Sequence, residues 1–387
     1  MYRMGQEEKD AVARVIDSKQ LFKINDGPLQ ETRHFEEEMR AKMQTDHALL
    51  MTSGTAALVS ALIGMGIGPG DEVIVPAYTY IATAMAVLAT GAIPIIAEVD
   101  ETLMIDPADV EKKITSRTKA VIPVHMMGYP CNMDAITAIA KKHGIMVLED
   151  ACQAVGGSYH GKRLGTIGDA GAFSFNYFKI ISAGEGGALL TCNQTIFEKA
   201  LIYHDACAIA YFGDQMNGFS TTPFCGTEFR TNEITAAILR EQLKKLDGIL
   251  FDLRKNKELL KQALSAHFTF TPSNDPDGEC SSNITLHFDS AEQTKSFADR
   301  VSGATIPYYM GKHVYYDWAP VMNKIGAAHP LMDPFAMPAN KAPEYTRDMC
   351  ARSLDILARN VHIGIDPDWT EADIENRAKE LIRALNP

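Results

Sequence analysis

The chain has 387 residues, with 37 Lys plus Arg against 49 Asp plus Glu, for a net charge of −12. A hydrophobic fraction of 46% and a charged fraction of 22% exclude a disordered or collagen-like chain. An acidic balance with no basic block argues against a protein that grips a nucleic-acid backbone.

The length exceeds what one core usually serves, so two domains are expected, residues 1–246 and 247–387. Near the N-terminus, Arg3, Glu7, Glu8, Lys9 and Asp10 leave no room for a signal-peptide core. Seven scattered cysteines with no CxxC argue against a disulfide framework or a zinc ribbon. Reduced thiols in a cytoplasmic protein are the expectation, with no metal.

From residue 48 onward, short apolar runs alternate with helical stretches. The expected strands are 48–51, 72–75, 93–98, 120–124, 145–149, 171–175 and 187–190. Several are apolar on both faces, as in strands buried between helical layers. Helices fit at 55–65, 81–89, 107–114 and 133–143, which implies an α/β domain with a mainly parallel sheet. The apolar stretch 81–97 is interrupted by Thr83, Thr90, Gly91 and Pro94, and reads as helix, turn and strand rather than a membrane span. A long helix is expected over 233–266, with a break near Gly248. A Pro/Asp/Gly loop follows at 271–278, and a smaller α+β domain closes with a helix capped by Thr370.

Three constellations carry chemistry. Thr52-Ser53-Gly54-Thr55-Ala56 follows a strand and opens a helix, whose free N–H groups make a phosphate site. A plain Ser or Thr cap explains the same residues. The run Gly64–Gly70 is no dinucleotide loop, because it follows a helix and has G-x-G-x-G-x-G spacing. Glu149-Asp150 ends a strand where a parallel sheet faces its ligand crevice; a carboxylate there holds a cationic ligand atom or caps the next segment. Lys179 lies in a loop among Phe175, Phe178, Ile180 and Gly184–Gly187. Partial desolvation there would favour its neutral, nucleophilic form, although most lysines are simply solvated. A phosphate cup, a strand-end aspartate and a loop lysine, in that order, are what pyridoxal 5'-phosphate requires.

The sequence resembles the DegT/DnrJ/EryC1/StrS family of sugar aminotransferases. The resemblance is carried by SGTAAL at 53–58, GDEVIVPAYTYIAT at 70–83, EDACQA at 149–154 and FSFNYFKIISAGEGGALLT at 173–191. It is near continuous from about residue 27 to 240. It implies the aspartate-aminotransferase fold, type I, with a mainly parallel seven-stranded large domain and a smaller α+β C-terminal domain. It implies Lys179 as the Schiff-base lysine, Asp150 on the pyridine nitrogen, Gln153 on the ring hydroxyl and Tyr80 on the pyridine face. Gly54 would let the backbone approach, while Thr55, Ala56 and Ser174 would hold the phosphate.

Relatives that dehydrate their substrate carry histidine where Lys179 stands, so transamination from glutamate or glutamine to a keto-sugar is implied. A sugar dehydratase or isomerase of the same fold and a non-catalytic regulator are the alternatives. The stretches 66–76, 124–128 and 149–171 are similar to relatives that act on an 8-oxo octulosonate, a free sugar acid; otherwise the acceptor would be nucleotide-linked. His313 is a candidate contact to it. The resemblance also implies a homodimer with shared sites, in which the loop from Asp205 to Arg230 reaches the partner. That loop carries Cys207, Tyr211, Phe212, Phe219, Phe224 and Phe229. Glu228 departs from the family, whose members usually carry an asparagine that meets the phosphate. The glutamate is expected to turn away, hold a proton or pair with Arg230.

Overall fold

The computed structural model describes residues 2–207 and 218–385. Its large sheet contains β1 (His47–Met51), β2 (Glu72–Pro76), β3 (Ile93–Ala97), β4 (Thr118–Val121), β5 (Met146–Asp150), β6 (Ala170–Ser174) and β7 (Gly187–Thr191). The spatial order is β1-β7-β6-β5-β4-β2-β3. Strand β2 runs parallel to β3 and β4, β4 to β5, and β5 to β6; β7 opposes both of its neighbours. The near-continuous apolar runs of the strands are explained by their burial on both faces. All seven expected strands form, with ends shifted by one to three residues.

Helix Gly54–Gly64 is apolar all round and packs against helices Ala82–Ala89 and Gln194–His204. Gly64 makes that approach feasible: a Cβ there would lie 2.7 Å from the Ile196 carbonyl oxygen. The stretch 81–97 resolves into helix Ala82–Ala89, a turn at Gly91 with φ +86°, and β3. Among the described residues, no helix is long and apolar enough to cross a membrane.

Two helices not expected from the strand–helix alternation, Gln6–Ser18 and Glu31–Met43, pack on the long helix Glu233–Leu264. The Glu233 carboxylate accepts from the Glu31 and Thr32 N–H groups at 2.5 and 3.1 Å, so one helix start supplies the cap of another. The expected break at Gly248 is absent and the helix runs straight through. A glycine there costs about 1 kcal/mol relative to alanine. The buried Leu243, Leu246, Ile249, Leu250 and Leu253 on either side offset that cost.

Beyond the long helix, Thr269–Phe270, Asn283–His287, Asn360–Gly364 and Ala304–Thr305 form a four-stranded antiparallel sheet in that spatial order. Helix Glu371–Leu385 follows Thr370, whose hydroxyl accepts from the Asp373 N–H while the Asp373 carboxylate accepts from the Thr370 N–H.

Candidate active site

Two adjacent carboxylates end β5 with different surroundings. Glu149 is fully buried, and it accepts from the Gly165, Ile167 and Gly168 N–H groups at 2.8, 2.6 and 2.7 Å. His125 Nε2 lies 3.0 Å from Glu149; its Nδ1 accepts from the Cys131 N–H, so Nε2 carries the proton and donates. Glu149 therefore fastens the 165–168 turn beneath the site. Asp150 points the other way along the strand. Its Oδ2 accepts from the Thr83 hydroxyl at 2.8 Å and its Oδ1 from the Cys152 N–H at 3.2 Å. Thr83 has one hydroxyl proton, so Thr79 supplies the proton between their oxygens, 2.7 Å apart. Neutral donors orient Asp150, and no lysine or arginine among the described residues pairs with it.

The start of helix Gly54–Gly64 lies beside this carboxylate. Ser53 Oγ accepts from the Ala56 N–H at 3.1 Å, so the capping interaction is present and takes the Ala56 donor. The Gly54 and Thr55 N–H groups remain without partners inside the helix. A Cβ on Gly54 would lie 2.7 Å from Cys152 Sγ and 2.9 Å from Ser174 Cβ, so only glycine fits. Gly54 thus packs against both Cys152 and Ser174, and the Cys152 N–H is hydrogen-bonded to Asp150, which brings the helix start, β6 and the end of β5 together. Burial pushes the Cys152 thiol well above its usual range; the Asp150 charge adds to this and the Lys179 charge opposes it.

Lys179 sits half-buried in the turn after β6, whose backbone is tied by Lys179 N–H to the Asn176 carbonyl and by Ala183 N–H to the Phe175 carbonyl. It lines a cavity of about 500 Å³ together with Tyr80, Gln153, Asn176 and Phe178. The Gln153 carbonyl accepts from the Met127 N–H at 3.1 Å, which fixes the side chain.

The opposite wall of the cavity comes from the C-terminal region, including Ser282, Asn283, Met310, Lys312 and His313. Segment 310–315 is laced to the large sheet by Thr79 N–H to the His313 carbonyl, Ile81 N–H to the Lys312 carbonyl and Tyr315 N–H to the Ala77 carbonyl, at 2.8–3.0 Å. His313 tilts against Tyr80 with ring centroids 5.3 Å apart, and Lys312 Nζ sits 5.0 Å from the Tyr80 centroid. Burial lowers the His313 pKa most; its bond to the Met310 carbonyl opposes this, and the Lys179 and Lys312 charges lower it further. Behind this wall, His362 bridges Thr285 Oγ1 at 2.8 Å and the Tyr78 hydroxyl at 2.9 Å. Lys312 escapes sequence reasoning, because short 3₁₀ turns from 307 to 317 carry no periodic signal; His362 lies on the strand Asn360–Gly364, and its partners Tyr78 and Thr285 are distant in sequence.

Glu228 pairs with Arg230, Oε2 to Nη2 at 2.6 Å, and accepts from its N–H at 2.8 Å; Arg230 also pairs with Asp205. Of the three expected arrangements, ion pairing with Arg230 is the one observed. Phe219, Phe224 and Phe229 are half-buried, while Tyr211 and Phe212 lie outside the described residues. All seven cysteines are unpaired, and no cluster of metal-ligating side chains exists among the described residues.

A family model described as "DegT/DnrJ/EryC1/StrS aminotransferase family" matches residues 3–381. Over 260 residues the chain is 41% identical to the spore coat polysaccharide biosynthesis protein SpsC of Bacillus subtilis (strain 168), covering 66% of this chain and 64% of the relative. Over 244 residues it is 43% identical to dTDP-3-amino-3,4,6-trideoxy-alpha-D-glucose transaminase of Streptomyces venezuelae, covering 62% and 61%. The match thus spans just under two thirds of these curated relatives. The solved structure of S. venezuelae DesV, in complex with a ketimine intermediate, superposes with a TM-score of 0.78 at 31% identity over 99% of this chain and 95% of that one.

Proposed function

We propose that this chain, which belongs to the DegT/DnrJ/EryC1/StrS aminotransferase family, is a pyridoxal 5'-phosphate-dependent enzyme. It moves an amino group from glutamate or glutamine to a keto-sugar or keto-sugar acid. The observation that carries this reading is Asp150: a buried carboxylate at a strand end, oriented by neutral donors and awaiting a cation. A protonated pyridine nitrogen supplies that cation. The residues around it fit the rest of the cofactor. The Gly54 and Thr55 N–H groups and the Ser174 hydroxyl form an anion cup, with no room for a side chain at residue 54.

Each side chain then has a task. Lys179 Nζ is the covalent attachment point. Once displaced by the incoming amine, it takes a proton from the donor carbon and returns one to the acceptor carbon, as base and then acid. The Asp150 carboxylate keeps a proton on the ring nitrogen, and the Thr83 and Cys152 donors hold it in place. Gln153 addresses the ring hydroxyl, and Tyr80 covers one ring face. Bound in this way, the cofactor supplies the electron sink for the carbon that loses its proton. Phe178, Met127 and Met310 limit access of water.

The reading includes a homodimer in the cytoplasm. Phe178, which lines the cavity, is 77% exposed, and the adjacent Tyr177 is 64% exposed. A second copy would cover these rings and complete the wall. Light scattering at assay concentration should report the dimer, and a fully active monomer would contradict it. The acceptor would be an 8-oxo octulosonate or another keto-sugar acid, with a nucleotide-linked keto-sugar as the other form. The test of the reaction is the visible spectrum of the holoenzyme with and without glutamate. An aminotransferase bleaches to the pyridoxamine form, whereas a regulator shows no change.

A further inference from the structure

We infer that Lys312 is a carboxylate anchor for substrate, an inference that rests on the aminotransferase reading above. The protein carries a net charge of −12. Yet the described residues lining this cavity include two lysines, Lys179 and Lys312, and no aspartate or glutamate. Neither lysine has an ion-pair partner among the described residues. Lys179 is assigned to the cofactor, so Lys312 is the cation left over. It is also held in place. Its carbonyl accepts from the Ile81 N–H at 2.8 Å and from Trp318 Nε1 at 3.0 Å, and its ammonium rests 5.0 Å from the centroid of Tyr80. A cation held against an aromatic ring and with no ion-pair partner among the described residues, in an otherwise uncharged wall, suits an anion brought by the ligand.

The charge favours a carboxylate over a diphosphate. One ammonium matches one negative charge, and the neighbouring Ser282, Asn283 and His313 supply neutral hydrogen-bonding groups. Burial and the two lysine charges lower the His313 pKa, so it adds no second cation at neutral pH. Donor and acceptor occupy such a site in turn, so the carboxylate belongs to the amino-acid donor, to a sugar-acid acceptor, or to both.

The test is equilibrium binding by calorimetry to the holoenzyme, its Lys312→Gln and Lys312→Arg variants. The probes are α-methyl-L-glutamate, which lacks the proton to be removed, 3-deoxy-manno-octulosonate, its methyl ester and dTDP-glucose. The expected result is a loss of roughly tenfold or more in affinity for one or both carboxylate probes in Lys312→Gln. Recovery in Lys312→Arg and indifference of the ester complete the pattern. A loss confined to α-methyl-L-glutamate assigns the anchor to the donor, and a loss confined to octulosonate assigns it to the acceptor. Unchanged affinity for both carboxylates, or a loss seen only with dTDP-glucose, overturns the inference. Cofactor content and labelling of Lys179 are recorded on the same samples. Their loss in the wild type would instead indict the aminotransferase reading.

Discussion

The two walls of the cavity are built by different rules. The wall from the large-sheet side consists of Tyr80, Gln153, Asn176, Phe178 and Lys179, on turns that leave buried strands, with Gly54, Asp150 and Ser174 at the adjoining helix start and strand ends. The wall from the C-terminal region consists of consecutive 3₁₀ turns laced to residues 77–81 by backbone hydrogen bonds. The first wall extends from strands fixed in the core. The second is placed by those hydrogen bonds and by Val314, Tyr315 and Trp318, which are buried in the same core. Chemistry common to a family belongs on the first and selectivity on the second, and that division can be broken by mutation.

The largest effect is expected within the first wall, between its two neighbouring carboxylates. Asp150→Asn should keep its fold and melting temperature while turnover falls on the order of a hundredfold or more, since only the charge toward the ligand is lost. Glu149→Gln should do the opposite. It weakens a carboxylate that takes three N–H groups and His125, at roughly 3 kcal/mol in stability, with turnover of the folded fraction little changed. Thermal melts beside steady-state rates separate the two. Equal activity loss in both variants would erase the distinction between chemistry and scaffold.

The second wall gives a smaller, pH-dependent signal. His362 is fully buried, and its pKa is lowered to about 3 from 6.5 by burial, aided by the charges of Lys257 and His313. The unfolded chain therefore binds a proton that the folded chain refuses between those values. Stability falls as pH drops from about 6.5 toward 3, by about 1.4 kcal/mol per pH unit from this residue. His362→Gln keeps hydrogen-bonding capacity without titrating, so its stability should vary less between pH 7 and pH 5 than that of the wild type. A parallel pH dependence would remove His362 from the account.

How much of each wall was legible follows the same division. The seven strands were visible because burial on both faces leaves continuous apolar runs, and Gly54, Asp150 and Lys179 stand at their ends. The N-terminal helices lie outside the strand–helix alternation, although Phe35, Met39 and Met43 recur at four-residue spacing on one buried face. The Gly248 break was expected from propensity alone, and tertiary packing overrode it. Segment 307–317 offers no period to read. His313 drew notice as a histidine, whereas Lys312 and His362 acquire meaning only from Tyr80, Thr285 and Tyr78.

The smallest effect is expected at Glu228. It is about half exposed and paired with Arg230, which keeps Asp205 when Glu228 is replaced. Glu228→Asn should change stability by less than about 1 kcal/mol. It should keep or tighten pyridoxal phosphate binding, because it removes a negative charge and restores a donor. A large loss of cofactor in dialysis would show Glu228 to be a required part of the site.

In the proposed enzyme the cofactor is carried by Lys179, at the junction of the two walls. Borohydride reduction of the holoenzyme followed by peptide mapping measures this most directly. A single reduced pyridoxyl label, on Lys179, is expected. A label on Lys312 or any other lysine, or no label at all, would contradict it.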